Sequence, residues 1–97
     1  MNRYKIMLVH DEPDILDLFE KALNIEGFYN ITKIDNGISA VITCKEIQPD
    51  IIILDVMLPD IDGYEVCKQI REFSITVNIL MCLRQACMYR GSGMCLS

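Results

Sequence analysis

The chain has 97 residues, enough for one small domain with a thin core. Its 52% hydrophobic content excludes a disordered chain, which needs few apolar residues and a high net charge. The formal charge of −5 disfavours nonspecific binding to nucleic acid or anionic lipid and suits divalent cations or basic protein partners.

The chain opens Met1-Asn2-Arg3-Tyr4-Lys5, with basic residues ahead of the apolar run Ile6-Met7-Leu8-Val9. That run is too short for a signal-peptide core, and His10-Asp11-Glu12 ends it. No apolar run approaches the roughly 18 residues of a membrane span. The expected location is therefore the cytoplasm, with no membrane contact. Residues 5–9 read as a strand. Pro13 then fits the first turn of a helix, where its missing N–H costs nothing, and Asp11, Glu12 and Asp14 favour that terminus. Ile15, Leu18, Phe19, Ala22 and Leu23 recur at helical spacing, and Gly27 supplies the stop.

Residues 29–34 read as a second, weaker strand, and Asp35-Asn36-Gly37 as a turn. Residues 38–47 read as a helix with Ala40, Val41, Cys44 and Ile47 inward, broken by Pro49-Asp50. Ile51-Ile52-Ile53-Leu54 is the most apolar short run and suits a strand buried on both faces. Asp60-Ile61-Asp62-Gly63 is a loop. Residues 63–73 read as a third helix with Val66, Ile70 and Phe73 toward the core, and residues 77–83 as a fourth strand. The order β-α-β-α-β-α-β argues for an α/β parallel sheet with helices on both faces.

The five cysteines, at 44, 67, 82, 87 and 95, form no Cys-x-x-Cys pair, so free thiols are the expectation. A zinc site among Cys82, Cys87 and Cys95 lacks the usual ligand pattern. The acids are more informative. The run Ile52-Ile53-Leu54 ends on Asp55, a side chain that costs several kcal/mol to bury unpaired. In parallel α/β sheets, ligands bind beyond the carboxyl ends of the strands. If the first and third strands are neighbours, Asp11 and Asp55 converge there. Paired carboxylates repel unless one protonates or a cation binds, and Mg²⁺ suits a few carboxylates, a carbonyl and retained waters.

The stretches Ile6-Met7-Leu8-Val9-His10-Asp11-Glu12-Pro13-Asp14, Asp35-Asn36-Gly37 and Pro49-Asp50-Ile51-Ile52-Ile53-Leu54-Asp55-Val56-Met57-Leu58-Pro59-Asp60-Ile61-Asp62-Gly63-Tyr64-Glu65 resemble the receiver domains of two-component response regulators. The match covers residues 3–81. The resemblance implies a flavodoxin-like three-layer fold with strand order 2-1-3-4. It implies Asp55 as phosphoacceptor, and Asp11, Asp55 and the Met57 backbone carbonyl as Mg²⁺ ligands. His10 and Glu12 are neighbours in the acidic pocket. The expected partner is a sensor histidine kinase or phosphotransfer protein, and the chain is expected to be a signalling domain, not an enzyme.

The chain also departs from that family. His10 stands where an acid is usual, which predicts weaker Mg²⁺ binding with some pH dependence, or else a substituted side chain turned to solvent. The position of the switch hydroxyl falls at Leu83, and no lysine follows Lys68, so the switch lysine has no counterpart. The fold is therefore expected to be incomplete, with about four strands and no fifth strand or helix. The division is a partial receiver over 1–81 and an atypical tail over 82–97, of which 82–89 can form a short helix. The tail reads as a truncation or frameshift, and the uncovered sheet edge invites a homodimer. The rival reading is a degenerate receiver that binds partners without being phosphorylated. A calcium loop around Asp60-Ile61-Asp62-Gly63 fails because Leu58 and Gln69 stand where acids are needed. An aspartate-nucleophile phosphatase fails at Met57, and no Gly-rich phosphate loop follows the first strand. No direct binding to nucleic acid is expected.

Overall fold

A computed structural model describes residues 3–83 and 86–90, with side chains over residues 3–81. Strand β1 (Ile6–Val9) is buried at every position. A strand with layers on both faces has no wet side, so IMLV carries no polar residue. Helix α1 (Pro13–Ile25) starts with Pro13 in its first turn and stops ahead of Gly27, whose φ of 94° is costly for any residue with a Cβ. Its inward stripe is Leu16, Phe19 and Leu23. Leu18, expected inward, is 64% exposed. Two residues along a helix is about 200° of rotation, so a helix facing the sheet with Leu16 turns Leu18 away.

Strand β2 (Ile31–Ile34) and helix α2 (Gly37–Ile47) follow, then β3 (Ile51–Asp55), α3 (Gly63–Arg71), β4 (Asn78–Leu83) and β5 (Ala86–Arg90). Both later helices are capped by a side chain at the first turn. Asn36 Oδ1 accepts from the Ser39 N–H at 2.8 Å, and Asp62 Oδ1 accepts from the Glu65 N–H at 2.8 Å. In α2 the expected residues Ala40, Val41 and Cys44 are buried. In α3, Val66, Cys67 and Ile70 are buried, while Phe73 lies past the helix end and is 40% exposed, against expectation.

The sheet order is β2-β1-β3-β4-β5. The first four strands in that order are parallel, as expected. The tail corrects the expectation at the edge. Residues 86–90 form a fifth strand, antiparallel to β4, and not a short helix. Two residues separate the strands. So short a link permits only an antiparallel return, because a parallel strand needs a crossover of a dozen residues or more.

Alternation along the strands divides the core into two layers. Met7, Val9, Ile52, Leu54, Ile79 and Met81 pack against α2 and α3 in a cluster of thirteen buried residues. On the α1 face the buried residues among those described are Ile6, Leu8 and Leu16, and Ile51 and Ile53 are partly covered. Cys44 is a free thiol, and desolvation pushes its pKa up to about 11 against a smaller lowering by Arg71. Cys67 is disulfide-bonded, which departs from the free thiols expected from spacing. The zinc alternative at Cys82, Cys87 and Cys95 and the character of residues 91–97 lie outside the described side chains. No helix among the described residues is long and apolar enough to cross a membrane.

Candidate functional site

Parallel pairing sets β1 and β3 side by side with Val9 opposite Leu54. The next step along each strand therefore puts His10 level with Asp55, and Asp11 one residue further out. His10 is held in line with the sheet by its N–H, which donates to the Ile34 carbonyl at 3.0 Å. Beyond it the chain bends, and Glu12 becomes the N-cap of α1. The convergence of Asp11 and Asp55 thus follows from register alone.

The three side chains meet at one point. His10, Asp11 and Asp55 each offer a ligand atom, and these atoms all lie within 4.8 Å of one another. His10 Nδ1 is 3.3 Å from Asp11 Oδ1, and His10 Nε2 is 3.6 Å from Asp55 Oδ2. Asp55 is buried, at 8% exposure, whereas Asp11 is open to solvent. The Met57 N–H donates to Asp55 Oδ1 at 3.3 Å. His10 is mostly covered and faces both acids, so its side chain does not turn to solvent.

The donor set fits a small hard cation. Two carboxylates, one buried and one exposed, leave most of the coordination shell to solvent, as Mg²⁺ prefers. The imidazole supplies no third oxygen. The Glu12 side chain is exposed and not among the clustered ligands; its contribution is a carbonyl that accepts from the Ile15 and Leu16 N–H groups. The Met57 side chain is 55% exposed and meets Asp55 through its backbone. Leu83 follows Cys82, which pairs with Asp55 across β3 and β4. Its side chain lies outside the described part.

The turn from β3 to α3 is tight. The Gly63 N–H donates to the Val56 carbonyl at 2.7 Å, and a Cβ on Gly63 would sit 2.5 Å from the Asp55 carbonyl oxygen. One site-forming residue escaped the sequence reading. The Asp60 carboxylate accepts from the Gly37 and Ile38 N–H groups, each at 2.8 Å, and so ties the loop after Asp55 to the start of α2. Burial pushes the Asp60 carboxyl up. The N–H groups of Ile38, Gly37, Ile61 and Asp60 itself outweigh that and hold it below the ordinary carboxylate range. The only hint in sequence was the Asn36-Gly37 pair, whose capping use reads locally while its long-range partner does not.

The geometry has counterparts. A family model described as "Response regulator receiver domain" matches residues 6–90. The chain is 44% identical over 81 residues to the alkaline phosphatase synthesis transcriptional regulatory protein PhoP of Bacillus subtilis, covering 84% of this chain and 33% of that protein. It is 33% identical over 91 residues to the transcriptional regulatory protein TrcR of Mycobacterium tuberculosis, covering 93% of this chain and 35% of that one. Thus it spans about a third of the length of these curated relatives. Among solved structures it resembles the response regulator TrrA of Thermotoga maritima in complex with Mg²⁺-BeF, with a TM-score of 0.78, 34% identity, and coverage of 82% of this chain and 69% of that one. With the acids at the strand ends, the parallel order and these matches together, the chain belongs to the response regulator receiver domain family.

Proposed function

We propose that this chain is a phosphoacceptor module that takes a phosphoryl group from a histidine kinase or phosphotransfer protein onto Asp55. The observation that carries the reading is the meeting of buried Asp55 with Asp11 and His10 at one edge of the sheet. The Met57 N–H fixes Asp55 Oδ1 and leaves Oδ2 turned toward His10. Oδ2 supplies the electron pair. It forms a bond to phosphorus as the bond from phosphorus to the donor imidazole nitrogen breaks, and the pair returns to that nitrogen. The product is an acyl phosphate on Asp55. Water attacking phosphorus later releases inorganic phosphate and restores the carboxylate.

The Asp11 and Asp55 carboxylates and the Met57 carbonyl would hold Mg²⁺, which would supply positive charge to offset that on the phosphoryl oxygens. The protein's own share is positioning: a carboxylate fixed at a strand end, with little water around it, meets the donor in one orientation. The module signals and does not turn over a substrate, and it works in the cytoplasm. Residues 1–81 carry the proposed site, and residues 82–97 a tail without the switch hydroxyl or lysine at the family's positions. Gene control, named for the longer relatives, belongs to a parent protein if one carries this chain.

The test is incubation with acetyl phosphate, with and without Mg²⁺, read by intact mass. The wild type gains one phosphate in a Mg²⁺-dependent manner and Asp55→Asn gains none. Equal labelling of both, or none of either with partner binding intact, overturns the reading in favour of a non-phosphorylated interaction module.

A further inference from the structure

The substitution at His10 does more than remove a charge. The Glu12 backbone N–H donates to His10 Nδ1 at 3.1 Å. A ring nitrogen that accepts a hydrogen bond holds its lone pair there; in the neutral ring that puts the proton on Nε2, and a doubly protonated ring, with Nδ1 3.3 Å from Asp11 Oδ1, carries one on Nε2 as well. That N–H is the one that faces Asp55 Oδ2, at 3.6 Å. The separation is too long for a hydrogen bond to the bare carboxylate.

A transferred phosphoryl group brings oxygens that need donors. Beside Asp55, β4 ends as Cys82-Leu83, and neither residue carries a hydroxyl. Among the described residues, the ion pair formed by Asp55 is with His10 and not with a lysine or arginine. His10 is the one side chain with an N–H facing this carboxylate within the same set, and its ring is held at Nδ1 by backbone with Nε2 toward Asp55.

We infer that His10 is a phosphoryl-binding residue, its Nε2–H donating to an oxygen of the group on Asp55 in place of the hydroxyl absent at Leu83. The inference rests on the phosphoacceptor reading. It assigns the imidazole a role that an acid at this position could not fill, because a carboxylate has no proton to donate to a dianion.

The full chain tests this with beryllofluoride as the probe, at a Mg²⁺ concentration shown by separate titration to saturate each variant. His10→Gln keeps an N–H at nearly the place of Nε2, and His10→Ala keeps none. Removing a hydrogen bond to a charged group should weaken beryllofluoride binding by about ten- to a hundred-fold in His10→Ala. His10→Gln should restore most of it. In the wild type, ¹⁵N spectra should report the proton on Nε2, and beryllofluoride should slow its exchange with water. Equal binding by wild type and His10→Ala, or a glutamine variant as weak as alanine, overturns the role of His10 alone. A wild type that takes up no beryllofluoride overturns the phosphoacceptor reading as well.

Discussion

At the scale of single residues, the site is built where side chains are least free to vary. A methyl group on Gly63 would meet two backbone atoms, the Asp55 carbonyl oxygen at 2.5 Å and Val56 Cα at 2.8 Å. Backbone cannot swing aside as a flexible side chain does, so the whole β3–α3 turn must shift. Gly63→Ala should cost about 1–3 kcal/mol, the range for forcing extra volume into a packed place. Because the displaced atoms belong to Asp55 and the residue after it, beryllofluoride binding should weaken along with the midpoint of urea unfolding. Unchanged binding with lowered stability would mean that the turn absorbs the methyl without moving the carboxylate. The acids themselves were legible in sequence for a physical reason: an aliphatic strand that ends on Asp55 needs solvent or a cation at its tip. His10 was legible as a departure, but not its direction, which depends on the Glu12 N–H that holds its ring.

At the scale of elements, the helices show which signals are local. The Asn36 cap on α2 spans three residues and reads directly from the sequence. The Asp60 clamp on the same terminus spans 23 residues and exists only once the loop has folded back. The inward face of α1 was misjudged for a similar reason, since Leu16 and Leu18 both lie in apolar periodicities and only the sheet chooses between them. The two caps separate by pH. The folded Asp60 carboxyl is held low, so its contribution is present above the unfolded carboxylate pKa of about 3.9 and is lost as pH falls through the lower folded value. Asp60→Asn, which mimics the protonated acid, should lower the melting temperature at neutral pH, and the gap should narrow below about pH 4. Asn36→Ala should cost about 1 kcal/mol with no comparable pH dependence. Melting curves of both variants between pH 2 and 7 decide it; a gap for Asp60→Asn that stays constant to pH 2 would remove the carboxylate from the account.

At the scale of the molecule, the two faces of the sheet are unequally filled among the described residues. The parallel core was readable because β1 and β3 are apolar runs that only a doubly covered sheet can hide. The edge was not, since nothing in Ala-Cys-Met-Tyr-Arg distinguishes a helix from a strand until β4 offers it a partner. Unequal layers imply unequal energetics. Ile70 is fully buried between α3 and the sheet among thirteen buried residues. Leu16 retains 6% exposure, on a face with two other fully buried residues and an open groove of about 360 Å³ lined by Ile6, Leu23, Phe28, Ile51 and Ile53 among others. A truncated side chain costs its transfer energy plus a cavity term, and the second is smaller where neighbours can close in or water can enter. Ile70→Ala should therefore cost in the upper part of the roughly 2–5 kcal/mol range, and Leu16→Ala near or below its lower end. For a domain whose total stability is about 5–15 kcal/mol, the first change threatens folding at 37 °C and the second does not. Urea titrations of both variants at one temperature check the ordering. A larger loss at Leu16 would mean that the α1 layer, thin as it is, carries more of the fold than the α2 and α3 layer.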